Sequence, residues 1–205
     1  AIEGLNYVIE KGEKSENFEL AKLNLLDVRY LKAIDSKPVD KNILVSIENE
    51  MEQMLIVHGY NIGTVSLIQS LANLKAYYLY KPTEAKQLLE KALTISRISN
   101  LVQAQLKIQL ADIKLVSGEH WDASLLYSQV EKDFKHDTIG FSAKFKNAKF
   151  FYFIGEFEYA LSQLNILRSA TSKLIANDAM ELSLFITNNI DFDSSFVPLE
   201  YYARA

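Results

Sequence analysis

Gly118-Glu-His-Trp-Asp-Ala-Ser-Leu-Leu-Tyr-Ser-Gln-Val130 returns 37 residues later as Gly155-Glu-Phe-Glu-Tyr-Ala-Leu-Ser-Gln-Leu-Asn-Ile-Leu167. Both stretches read Gly, Glu, a histidine or aromatic, two free positions, Ala, then a large residue and an apolar one at helical spacing. Each glycine follows an apolar-periodic run, the place where a residue free to adopt positive φ closes a helix. Upstream of the glycines stand Leu110-Ala111 and Asn147-Ala148, so Ala111 and Ala123, like Ala148 and Ala160, lie twelve positions apart. Two small residues placed this way, one on each side of a glycine turn, let two helices approach closely. The large residues Tyr127 and Leu164 then fill the groove against the next hairpin. A weaker third copy runs Leu71-Ala72, Ala85, Leu89 and Ala92, with Tyr80-Lys-Pro-Thr83 replacing the glycine turn by a loop one residue longer. Ala85, Ala123 and Ala160 are spaced by 38 and 37 residues, a period that corresponds to one helical hairpin per unit.

The rest of the chain carries the same helical periodicity, without sustained strand-like alternation. Helices are expected near 2–11, 16–34, 40–57, 62–80, 83–98, 100–117, 119–135, 139–154, 156–169 and 172–188. Asp35-Ser-Lys-Pro38 stops one helix, because Pro38 lacks an N–H and disfavours α geometry in Lys37. Pro82 suits the first turn of the helix that follows it. Seven glycines and three prolines in 205 residues leave room for long helices. The 49% hydrophobic and 23% charged content is that of a folded globular chain. A net charge of −4 is too mild to imply nucleic acid or an anionic membrane as partner. No apolar run approaches the roughly 20 residues that span a bilayer, and no signal peptide is visible. The absence of cysteine excludes disulfides, cysteine nucleophiles and thiolate metal sites.

The order of small residue, Gly turn, Ala and large residue resembles the tetratricopeptide repeat. The likeness is good over about residues 66–170 and weak over 1–60, and the run from Trp121 to Asn189 is similar to a group of tetratricopeptide proteins from Bacteroidetes. It implies an all-α fold in which antiparallel hairpins stack as a right-handed α–α superhelix. The chain then reads as a single repeat domain over 1–205, with irregular helices over 1–60. Clearer repeats follow at 62–98, 100–135 and 139–169, then a partial repeat at 172–205. Departures are plain: Lys107 and Lys144 replace the first-helix Trp, and Lys114 stands where an aromatic is usual. His120 takes the turn aromatic's place beside Trp121, the closing proline is missing, and the period exceeds the family's usual value of about 34.

The resemblance also implies a concave groove lined by the first helix of each hairpin, holding an extended peptide or a partner helix. Carried over by register, the lining residues are Asn73 and Tyr77, then Gln105, Gln109 and Asp112, then Lys146, Lys149 and Tyr152. The expected role is that of a non-enzymatic scaffold binding another protein or peptide. The alternative is a structural module that packs on further repeats or self-associates through its ends. The chain opens on an amphipathic segment without a cap and stops at Val197-Pro-Leu-Glu-Tyr-Tyr-Ala-Arg-Ala205, which suggests part of a longer array.

Catalytic motifs are missing: G-x-G-x-x-G, G-x-x-x-x-G-K-[ST], H-E-x-x-H and G-x-S-x-G do not occur. His58, His120 and His136 stand far apart, so no metal or other cofactor is expected, nor any convergence of titratable groups in a cleft. Glu48 and Glu52, one turn apart, could share a cation, but with Glu50, Met51 and Met54 they read more simply as the wet side of an amphipathic helix. Lys132, Lys135, Lys144, Lys146 and Lys149 form the densest basic stretch, offset by Glu131, Asp133 and Asp137.

Overall fold

The computed structural model describes residues 2–12, 17–168, 173–190 and 196–204. The predicted helix ends at 16, 169 and 172 lie outside them. Among the described residues the chain is all α, with no strand. The α-helices are α1 (Ile2–Glu10), α2 (Phe18–Asp35), α3 (Lys41–His58), α4 (Val65–Asn73), α5 (Pro82–Ala92) and α6 (Asn100–Val116). They continue as α7 (His120–Asp133), α8 (Thr138–Phe153), α9 (Phe157–Leu167), α10 (Lys173–Asn188) and α11 (Val197–Arg204). Contacts divide the chain into two compact units, with the boundary inside α6 between Ile113 and Lys114.

In the first unit α1 packs on α2, α2 on α3, and α4 on α3 and α5. Leu44, Ile47, Met51 and Leu55 recur at three- and four-residue spacing and point the buried face of α3 inward. Asp40 caps that helix by accepting from the Asn42 N–H at 2.8 Å. Leu67, Ile68, Leu71 and Leu74 meet it from the following segment, with Ala85 and Leu89 of α5 fully buried behind them.

The single helix expected over 62–80 is instead three pieces. A 3-10 turn at Ile62–Thr64 is held by a reciprocal cap between Asn61 and Thr64; α4 follows, and then a π turn spans Leu74–Tyr78. The wider turn is visible in the Leu79 N–H bonding the Leu74 carbonyl at 3.1 Å, and Tyr80 then takes a positive φ of 58°. The helix expected over 83–98 ends at Ala92. Thr94, Ile95, Ser96 and Ser99 supply β-branched and hydroxyl side chains that lose in a helix interior. Arg97 reverses the chain at φ 65°, and Ile98 turns into the core.

The second unit packs α7 on α8, α8 on α9 and α9 on α10. Ala148, Phe157, Ala160, Leu164, Leu167, Ala179 and Ile186 belong to one buried cluster. The repeated glycines make the same turn twice. Gly118 and Gly155 sit at φ 84° and 88°. The Glu119 N–H reaches back to the Lys114 carbonyl at 2.9 Å, and the Glu156 N–H reaches the Phe151 carbonyl at 2.9 Å. These six-to-one bonds close both helices in the Schellman manner. Of the alanine pairs, Ala148 and Ala160 are both fully buried, in the same cluster; Ala111 and Ala123 are also fully buried but fall in different units.

Candidate functional site

Glu48 is not on a wet face: it is 3% exposed. The π turn aims Lys75, equally buried, at it. The Lys75 ammonium lies 2.6 Å from Glu48, 2.7 Å from Glu52 and 2.6 Å from Glu84, and Lys81 adds a second contact to Glu48 at 2.7 Å. The expectation that Glu48 lies on the wet side of an amphipathic helix is thus corrected. Two positions one turn apart on α3 meet residues 23 to 36 places further along, because the π turn and the Tyr80–Pro82 bend fold Lys75, Lys81 and Glu84 back onto α3. The three carboxylates are close enough to hold a metal ion, but the Lys75 ammonium already stands among them as the cation. Burial acts to raise the Glu48 carboxyl, and hydrogen bonds from Lys75 and Lys81 outweigh it, leaving Glu48 below the usual carboxylate range. Burial likewise opposes the charge on Lys75, and its three carboxylate partners overcome that and raise it. A closed network of this kind is a structural device, not an open site.

An open site lies in the second unit. A cleft of about 350 Å³ runs between α8 and α10, lined by Phe145, Lys149, Asp178, Glu181, Leu182 and Phe185. On α8 the contributors are one turn apart, and the Lys149 ammonium lies 5.9 Å from the Phe145 ring centre. On α10 they follow i, i+3, i+4 and i+7, a single helical face. Phe185 is held from behind by Tyr152 in an edge contact at 6.2 Å and by Tyr202 of α11 at 5.3 Å. Among the described residues Asp178 and Glu181 make no hydrogen bond or ion pair, and Lys149 has no carboxylate partner.

Of the residues expected in a groove, Lys149 is in this cleft. Tyr152 is close by but only 4% exposed, its ring in the core and its hydroxyl without a partner. It supports the Phe185 ring and offers no surface to a ligand. Lys146 lies on α8, partly exposed and outside the lining. The other five belong to the first unit. Gln105 is exposed on α6, and Gln109 spends its amide on the Gln69 carbonyl at 2.7 Å. Asn73 ends α4. Tyr77 is in the π turn, its phenol pushed up to about 12 by burial and by the charge of Asp112. Sequence reading missed Phe145, Asp178, Glu181, Leu182 and Phe185; the helical spacing of the last four on α10 is the signal that could have found that face.

Two lysines of the second unit are neutralised locally. Lys114 bonds Glu119 at 2.6 Å, and Lys144, 9% exposed, bonds Glu131 at 2.6 Å. Beside Lys144, Asn147 ties α8 to α7 through Ser124 and Ser128. A further cleft of about 420 Å³ in the first unit lies between α2 and α3, and the Arg29–Glu50 ion pair is part of its lining. No helix among the described residues is long and apolar enough to cross a membrane. No protein-family model, curated protein or solved structure matches this chain.

Proposed function

We propose that the chain is a non-enzymatic binding module of the tetratricopeptide kind, its hairpins stacked as a right-handed array, and that it holds a polypeptide segment in the α8–α10 cleft. Support for the repeat comes from the identical glycine turns and from α7 to α10 packing each on the next. The observation that carries the binding reading is the cleft itself. It lies between two helices separated in the chain by α9, with two aromatic rings in its lining and carboxylates that have no partner among the described residues. Ligand sites combine an apolar lining with a few unspent polar groups in this way.

The test is to select peptides from a random library against the whole chain and to map the footprint of an enriched peptide by amide chemical shifts. Shifts concentrated at Phe145, Lys149, Glu181 and Phe185 are expected. A footprint elsewhere, or no enrichment, removes this reading and favours a module that packs on further repeats or on a second copy.

A further inference from the structure

We infer that the α8–α10 cleft selects its peptide through an arginine side chain. The inference rests on the peptide-binding reading above and adds the chemistry of the residue that is held. Two carboxylates, Asp178 and Glu181, face one ammonium, Lys149, across the cleft. The wall is therefore one negative charge in excess, and a ligand with a single positive charge completes it. The carboxylates have all their acceptor capacity free, since neither is bonded within the described residues. They stand three positions apart on α10, the spacing at which helical side chains are neighbours. One planar donor can then reach both.

The remainder of the lining discriminates between cations. Phe145, Leu182 and Phe185 give the cleft two aromatic rings and an aliphatic side. The Phe185 ring contacts Tyr152 edge-on at 6.2 Å and Tyr202 at 5.3 Å. A guanidinium is flat, weakly hydrated, stacks on aromatic faces and presents a fork of donors to carboxylates. A lysine ammonium is compact and strongly hydrated, and loses more when it leaves water beside two phenylalanines. An acidic side chain meets attraction from Lys149 alone and repulsion from Asp178 and Glu181.

The experiment titrates the isotope-labelled full chain with four acetylated, amidated alanine pentapeptides that carry arginine, citrulline, lysine or glutamate at the centre. The arginine peptide is expected to move the amide signals of Phe145, Lys149, Asp178, Glu181 and Phe185. Citrulline, isosteric and uncharged, is expected to bind about tenfold more weakly, as is the arginine peptide to the Asp178→Asn, Glu181→Gln double variant. Lys149→Gln is expected to tighten arginine binding a few-fold, with its spectrum showing an intact fold. Tighter binding of the glutamate peptide, lost on Lys149→Gln, overturns the arginine inference and leaves a peptide cleft standing. Equal binding of arginine and citrulline does the same. Failure of all four peptides to move any cleft signal at millimolar concentration overturns the inference and, with an empty library selection, the peptide-binding reading too.

Discussion

Gly140 and Gly155 belong to the same hairpin and are irreplaceable for different reasons. Gly155 takes φ 88°, yet a Cβ placed there meets no atom within 4 Å. Its cost of substitution is conformational alone: Gly155→Ala is expected to lose about 1–2 kcal/mol, and Gly155→Asn less, because asparagine tolerates the left-handed region. Gly140, at the start of α8, has ordinary helical geometry, but a Cβ there falls 1.9 Å from the Phe134 carbonyl oxygen. No side-chain rotation relieves a clash with backbone, so Gly140→Ala is expected to cost at least about 3 kcal/mol, and asparagine does not rescue it. Urea unfolding of the four variants separates the two causes; equal losses at both sites contradict the distinction. Ala160, fully buried in the same unit, is expected to lose roughly 1–3 kcal/mol as leucine, through overpacking. An unchanged melt removes the argument from small residues. The glycine turns were legible because they repeat. Gly140 was not, because its constraint comes from a carbonyl six residues upstream that only the α7–α8 bend brings near.

Among the elements, the π turn with its buried lysine has the sharpest consequence. Folded Glu48 takes up a proton only below the pH at which the unfolded chain does. Its stabilisation is therefore complete above the unfolded carboxylate value, about 4.3, and is lost as pH falls through the folded value. Lys75, raised by its partners, contributes fully below its unfolded value of about 10.4 and loses that contribution as pH rises through the folded one. Lys75→Met strands the carboxylates. Breaking one side of a buried pair costs about 3–5 kcal/mol, and that deficit is expected near neutral pH. It should shrink toward about pH 4, where protonation relieves the uncompensated charge. Denaturant midpoints at the two pH values test this, and a deficit independent of pH counts against the network as the cause. Helix type and most helix bounds on α3 could be read from periodicity. The burial of Glu48 could not, since an acid at an apolar position looks the same as one on a wet face until its cation is found 27 residues away.

For the whole molecule, the two units differ in what acid does to them. The cluster around α9 is built of hydrophobic residues, with its unit's Lys144–Glu131 ion pair on α8 and α7, whereas the face of α3 itself carries a buried ion pair. Amide hydrogen exchange is expected to show protection along α3 and the π turn falling on acidification from about pH 7 to about pH 4, with Phe157–Leu167 changing less once the intrinsic pH dependence is removed. Uniform loss of protection across both units contradicts it. The all-α architecture was readable from composition and period. The cleft was readable in part: Lys149 was in register, but the rest of the lining includes α10, and no glycine after Gly155 marks a further repeat in the sequence. Tyr152, in the same register, points inward because Phe153 and Phe157 crowd around its ring.

The π turn also acts as a phase shifter. A π turn holds one residue more than the α turn it replaces, and each residue of an α-helix advances the facing direction by roughly 100°. The wider turn takes up that extra residue, so removing Ala76 and closing Leu74–Tyr78 to plain α-helix would leave the chain just after it facing nearly as before. Forcing an α turn through Leu74–Tyr78 with all five residues kept would instead turn Lys81 and Glu84 away from Glu48, without any change in their own chemistry. The placing of Lys81 and Glu84 thus hangs on the turn staying wide, so deletion of one residue there should be better tolerated than a further insertion.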